Sequence, residues 1–225
     1  MSEAQSLRPA STLPAVSPHA NPVRGRINAV FFDVMSGYMH WKYAPLKQQL
    51  FANLPHVVVE IGAGAGANFR YFPRGTRVIA IEPNPHMHAR LARSARRWGI
   101  DLEDSRTRCR RHRSARGLRR RGGLQLGSVH REDPERAVRQ VRRILRPGGR
   151  FLCIEHVAAL PRSALGRLQR WVRRPWQWFF EGCHTHRNTG AVLRRAGFHT
   201  TDIRPFTWRS AFLPVRPQIA AVCVE

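Results

Sequence analysis

Apolar residues in this chain fall into two spacings. Short runs bounded by turn residues, Val57-Val58-Val59, Val78-Ile79-Ala80-Ile81 and Phe151-Leu152-Cys153-Ile154, predict buried strands. Between them, apolar positions recur every three or four residues and predict helices. The first runs from Phe31 to Leu54, with Met35, Tyr38, Met39, Trp41 and Leu46 as its apolar positions. The second runs from Pro85 to Gly99, with proline in the first turn and glycine as the stop. A third runs to Leu145, with Asp133 as N-cap, Pro134 at the first position, and Val138, Val141, Ile144 and Leu145 on one face. An aromatic helix follows over Leu165 to Phe180. Ile100 to Glu103 begins a third strand. Arg146-Pro147-Gly148-Gly149 turns the chain into the strand Arg150 to His156, and Phe198 to Phe206 and Gln218 to Val224 are the last two strands. The alternation predicts the α/β class: a Rossmann-like, doubly wound, mostly parallel sheet.

One element is missing from that pattern. Between Glu103 and Asp133 the fold needs a central apolar strand, and the chain instead carries an arginine-rich stretch from Arg106 to Arg131. A packed strand cannot hold it, because each buried, unpaired arginine costs several kcal/mol. The genetic code offers one account. Read one nucleotide forward, His112 to Val129 is compatible with I-D-L-P-x-D-x-V-D-A-V-V-S-N-L-V-L-C, a charged turn followed by an apolar strand. The frame then returns at Glu132-Asp133-Pro134. The alternative is a genuine basic surface loop.

The stretch Glu60-Ile61-Gly62-Ala63-Gly64-Ala65-Gly66 directly follows the first strand, and Ala67 to Phe72 can open a helix after it. Glycines permit a tight strand-to-helix turn and close approach of the backbone to a ligand. Glu82 ends the next strand, where a carboxylate can hold both hydroxyls of a ribose. This arrangement suits a nucleoside-containing cofactor.

Composition adds limits. At 225 residues the chain suits one domain with a sizeable core. Met1 to about Asn28 is rich in Ser, Pro and Ala and predicts a disordered tail over residues 1–28, with the folded domain over 29–225. No apolar run is long enough to span a bilayer, and no signal-peptide core is present. Cys109, Cys153, Cys183 and Cys223 show neither metal-ligand nor disulfide spacing, which predicts no metal site and fits a reducing cytoplasm. The net charge of +25 invites a nucleic-acid partner. However, Lys42 and Lys47 are the only lysines, much of the arginine sits in one segment, and no aromatic residue is interleaved there for base stacking. The balance argues against nucleic acid.

With these pieces in order, the chain resembles the class I S-adenosylmethionine-dependent methyltransferases. The resemblance rests on Glu60 to Gly66, on Ile81-Glu82-Pro83-Asn84-Pro85, and on Leu145-Arg146-Pro147-Gly148-Gly149-Arg150-Phe151. Gly66 falls two residues after Gly64, not three as in the dinucleotide fingerprint. Within the class the chain is most similar to the methyltransferase-like group whose animal members methylate alkyl thiols. The matching stretches are Gly66 to Phe69, Tyr71 to Pro73, Glu155 to Ala158, Glu181 to Cys183 and Val215 to Ile219. Those animal members carry an apolar N-terminal membrane segment, and no such run occurs in this sequence.

The resemblance implies a seven-stranded methyltransferase-type sheet, with its fourth-strand region, 104–131, disrupted. It implies S-adenosylmethionine as cofactor: Gly62, Gly64 and Gly66 against its methionine part and ribose, Glu60 on its ammonium, Glu82 on the ribose hydroxyls, and Pro83 and Asn84 beside the adenine. The expected reaction is methyl transfer to a small apolar acceptor, with a thiol first in view. Alternatives are a quinone or lipid C-methyltransferase, an RNA methyltransferase or nucleic-acid-binding protein using the arginine-rich segment, and an inactive frame-shifted product. His156, at the C-terminal end of a strand, is the candidate base for a thiol proton, against a local hydrogen-bonding role. Trp171, Trp176, Trp178, Phe179 and Phe180, near Arg170, Arg173 and Arg174, suit either a helix packed on the core or a membrane-surface contact. Cys183 reads as structural.

Overall fold

The computed structural model describes residues 21–104, 124–127, 133–180, 183–210 and 212–225. The strands are β1 (Val57–Ile61), β2 (Arg77–Ile81), β3 (Asp101–Asp104), β4 (Leu124–Gly127), β5 (Arg150–His156), β6 (Thr200–Thr207) and β7 (Pro217–Val224). They join in one sheet in the order β3-β2-β1-β4-β5-β7-β6. β1 to β5 pair in parallel, while β7 runs antiparallel to both β5 and β6. The Rossmann-like, mostly parallel α/β architecture is therefore present, closed by an antiparallel final strand.

The helices are α1 (Pro22–Leu50), α2 (His88–Trp98), α3 (Pro134–Ile144), α4 (Ala164–Trp171), α5 (Arg173–Phe179) and α6 (Thr189–Arg195). Side chains alternate across each strand, so the sheet carries a separate core on each face. Along β5, Leu152 joins Val58, Val78, Phe69, Phe72 and Leu91 on one side. Its neighbours Phe151 and Cys153 join Val138, Val141, Leu145, Leu193 and Ile219 on the other. β6 is an edge strand, and it carries Pro205, whose missing N–H is tolerated there. At the opposite edge, Glu103 of β3 accepts two hydrogen bonds from Arg77, at 3.1 and 2.8 Å.

Several expectations need correction. The pattern provides no strand between Glu103 and Asp133, yet β4 lies at the centre of the sheet, between β1 and β5. Leu124-Gln125-Leu126-Gly127 is too short, and too closely flanked by arginine, to stand out from the sequence, but pairing on both sides completes its hydrogen-bond ladder. The remainder of the disrupted region, 105–123 and 128–132, lies outside the described residues, as do residues 1–20 of the expected tail. Residues 22–28 of that tail are helical. Asn21 caps α1 by accepting from the backbone N–H groups of Val23 and Arg24, and Asn28 is buried with its amide donating to Phe179 O at 2.6 Å. The helix expected to open after Gly66 is only a 3-10 turn, Phe69–Tyr71. The aromatic helix is interrupted at Val172, and the second helix expected from Pro85 begins with a 3-10 turn before α2.

The α3 cap forms as expected, with Asp133 accepting from Arg136 N at 2.8 Å. Replacing Asp133 by alanine should cost about 1 kcal/mol, whereas Leu193→Ala, which empties a fully buried core position, should cost about 3 kcal/mol. Urea denaturation of both variants measures the difference.

Candidate functional site

At the C-terminal end of β1 the backbone turns sharply, and Gly62, Gly64 and Gly66 all adopt positive φ, at 72°, 56° and 77°. The three are not equivalent. A Cβ added at Gly66 would fall 2.8 Å from Phe69 and 2.9 Å from Ser94, so this glycine lets the loop pack on α2. A Cβ on Gly62 or Gly64 would meet nothing within 4 Å. Those two leave the backbone open towards a ligand.

Glu82, at the end of β2, ties this loop to its neighbour. One carboxylate oxygen accepts from Gly64 N at 2.7 Å and the other from Asn84 N at 2.8 Å. Asn84 is itself buried. Its amide donates to Gly25 O at 3.1 Å, and its side-chain oxygen accepts from His86 N at 3.0 Å. The Asn84 side chain thus fastens α1 to the 85–87 turn. Pro83 is exposed.

Glu60 is the most constrained group. It is 2% exposed; one oxygen accepts from the Asn68 amide at 2.7 Å, and the other is buried with no partner. The side-chain oxygen of Asn68 is likewise buried and unpartnered. Two orphaned acceptors therefore sit together at the end of β1. Burial pushes the Glu60 carboxyl up to about 7. α1 crosses above. Tyr43 donates to Gln218 at 2.8 Å, His40 Nδ1 lies 2.7 Å from the Tyr71 hydroxyl, and the Lys47 ammonium sits over the rings of Tyr43 and Tyr71.

At the end of β5, His156 meets Cys183 rather than open space: Nε2 lies 3.1 Å from Sγ. The indole N–H of Trp176 donates to the same sulfur at 3.2 Å. Burial pushes the Cys183 thiol up to about 12, so it stays protonated beside the imidazole. Trp176 packs on Phe180 at 4.4 Å between ring centroids, and Phe180 and Phe179 pack against Phe31 of α1. Trp171 and Trp178, by contrast, are exposed, so the aromatic stripe is only partly core. A cleft of about 370 Å³ lined by Asn53, Leu54, Pro55, Arg146, Gly148 and Arg150 opens at the other end of the strands and holds none of these groups.

Residues 58–149 match the family model described as a methyltransferase domain. The chain is 32% identical over 202 residues to the thiol S-methyltransferase TMT1A of Homo sapiens, covering 81% of this chain and 79% of that protein. It is 28% identical over 218 residues to thiol S-methyltransferase TMT1B of Mus musculus, covering 87% and 84%. The chain belongs to the class I S-adenosylmethionine-dependent methyltransferases, close to their alkyl-thiol group. Among solved structures, a SAM-dependent methyltransferase from Thermotoga maritima shares the fold, with a TM-score of 0.59 at 18% identity over 90% of this chain and 99% of that one.

Family and fold imply S-adenosylmethionine as the methyl donor of this methyltransferase. The residues fit it. Its α-ammonium brings hydrogen-bond donors, and the orphaned oxygens of Glu60 and Asn68 are acceptors. Glu60 and the three glycines follow β1 and Glu82 ends β2, and the structure joins the two ends through the Glu82–Gly64 hydrogen bond. The structure adds Asn68, two residues beyond Gly66, and Lys47 of α1 to the surroundings of Glu60. No group of three or more metal-ligating side chains occurs among the described residues.

The folded-state pKa of Glu60 lies above its ordinary value, so the folded chain holds that proton more tightly than the unfolded one. The stability this supplies is present below about pH 4.5 and is lost as pH rises to about 7. Glu60→Gln should remove about 3 kcal/mol of that decline, measured by denaturation of ligand-free protein across this interval.

Proposed function

We propose that this methyltransferase methylates a small apolar thiol with S-adenosylmethionine, using a sheet of the seven-stranded methyltransferase type within a single domain. The observation that carries the cofactor half is the pair of orphaned acceptors beside the open glycines. Glu60 and Asn68 hold the ammonium, the backbone at Gly62 and Gly64 lies along the methionyl and ribose parts, Glu82 takes the ribose hydroxyls, and Pro83 and the Asn84 backbone border the adenine. The thiol half is supported by the relatives named as thiol S-methyltransferases and by the sulfur-binding corner at His156, where an imidazole and an indole N–H converge on a sulfur atom.

When bound, S-adenosylmethionine supplies an electrophilic methyl group on a cationic sulfur. The chain's own part is alignment and proton removal. Cys183 Sγ lies 3.1 Å from His156 Nε2, which shows that a sulfur can approach that nitrogen, and in the tautomer protonated at Nδ1 this nitrogen is an acceptor. An acceptor thiol that takes the place of Cys183 passes its proton there. His156 would hold that proton at Nε2 and leave the acceptor as a thiolate, the form that would take the methyl group supplied by bound S-adenosylmethionine. His156→Ala should lower turnover of an alkyl thiol about 100-fold while S-adenosylhomocysteine affinity, measured by isothermal titration, stays within about twofold of wild type. Unchanged turnover would leave His156 with a local hydrogen-bonding role.

We further propose that this protein works in the cytoplasm, with Cys153, Cys183 and Cys223 as free thiols, and rests on a membrane surface. No helix among the described residues is long and apolar enough to cross a membrane. Val23, Ile27, Val30, Val34 and Trp41 of α1 are exposed, spaced by three, four and seven residues on one helix face. Arg24 stacks over the exposed Trp178 ring at 5.9 Å, which joins that face to α5. Apolar residues beside arginine suit an anionic lipid interface. Co-sedimentation with vesicles containing an anionic phospholipid should be strong for the wild type and lost in a Val30→Asp, Val34→Asp, Trp178→Ala variant. Equal pelleting of the two would end this reading.

A further inference from the structure

Glu60 accounts for one end of an amino acid. The methionyl part of S-adenosylmethionine is a zwitterion, and nothing in the glycine loop supplies a cation for its carboxylate. We infer that Lys47 of α1 reads the α-carboxylate of the cofactor, so that Glu60, Asn68 and Lys47 together form an amino-acid clamp assembled from β1, the turn after it and the first helix. The inference rests on S-adenosylmethionine being the cofactor and deepens that reading.

Three observations carry it. The Lys47 ammonium lies over the Tyr43 ring at 5.5 Å and the Tyr71 ring at 5.7 Å from the centroids, held between two aromatic faces. Ring faces attract a cation without neutralising it, so the charge remains available to an anion. Both tyrosines are fixed in turn, Tyr43 through Gln218 of β7 and Tyr71 through His40 of α1. Glu60 lies near enough to act electrostatically on Lys47, yet its second oxygen has no partner. An ammonium and a carboxyl of opposite charge type thus lie within electrostatic reach of each other with no ion pair between them, which is the complement of a zwitterion.

The chain's usage of basic residues points the same way. Of its 39 basic residues only Lys42 and Lys47 are lysines. A compact ammonium on a flexible stem fits between two rings where a planar guanidinium would stack on one of them. Burial lowers the Lys47 pKa to about 8, so the cation is held at a cost that a bound carboxylate relieves.

The alternative is that Lys47 acts only as a background counter-charge for Glu60. A ligand series separates the two. S-Adenosylhomocysteine carries ammonium and carboxylate, S-adenosyl-3-thiopropylamine keeps the ammonium alone, and 5′-methylthioadenosine has neither. Titrated against the folded full chain, Lys47→Met should weaken S-adenosylhomocysteine about 10- to 100-fold and leave the other two within about twofold of wild type. Lys47→Arg, which keeps the charge, should recover part of the lost affinity for S-adenosylhomocysteine alone. Equal weakening of S-adenosylhomocysteine and S-adenosyl-3-thiopropylamine would make Lys47 a counter-charge and overturn the inference, as would no change in either. Failure of wild-type protein, folded by circular dichroism, to bind S-adenosylhomocysteine would instead overturn the cofactor reading, and the clamp with it.

Discussion

A carboxylate buried at the end of a central strand has few ways to be tolerated. Glu60 cannot reach water, and Asn68 satisfies only one of its oxygens. Desolvating an ionised group without full pairing costs several kcal/mol, which a protein of ordinary stability carries only where something else depends on it. The rest of the site is arranged around that group. The glycine turn passes beside it, α1 roofs it, and the tyrosine-flanked Lys47 provides the nearest opposite charge. The ligand-free protein is poised, with acceptors fixed in advance and donors still to come, and such preorganisation lowers the cost of ordering the site on binding.

The same logic extends to the acceptor side. Cys183 and Trp176 meet at His156, so the imidazole is already oriented and already in contact with a sulfur atom. The two halves of the site lie at the ends of β1 and β5, with only β4 between those strands, which is where open α/β sheets bind their ligands.

What could be read from the sequence was what is local to it. β5 is matched residue for residue, and the Asp133 cap, the Gly99 stop and the apolar positions Val138, Val141 and Ile144 of α3, with Leu145 as its C-cap, all hold, because each depends on neighbours within a few residues. The glycine turn and its flanking carboxylates were legible for the same reason. β4 was not, because four residues between arginine-rich flanks are made a strand by the ladders on either side and not by their own pattern. The start of α1 was missed because a Pro- and Ala-containing segment looks like a tail until Asn28 and Gly25 find their partners 151 and 59 residues away. Trp41, expected on an apolar face, is instead exposed. Lys47, on α1, became visible beside Glu60 only once the fold was known.

The short β4 has a consequence for how the molecule holds together. The two cores are separate, and among the described residues the strand joining β3-β2-β1 to β5-β7-β6 is four residues long. Much of the remaining continuity runs through α1, which bonds to Asn84 beyond β2 at one point and to Phe179 and Gln218 on the far side at others. α1 is therefore a mechanical strap as well as a roof. Loosening it would uncouple the halves into two cooperative folding units, and a ligand gripped by both α1 and β1 would tighten the whole sheet from its edge.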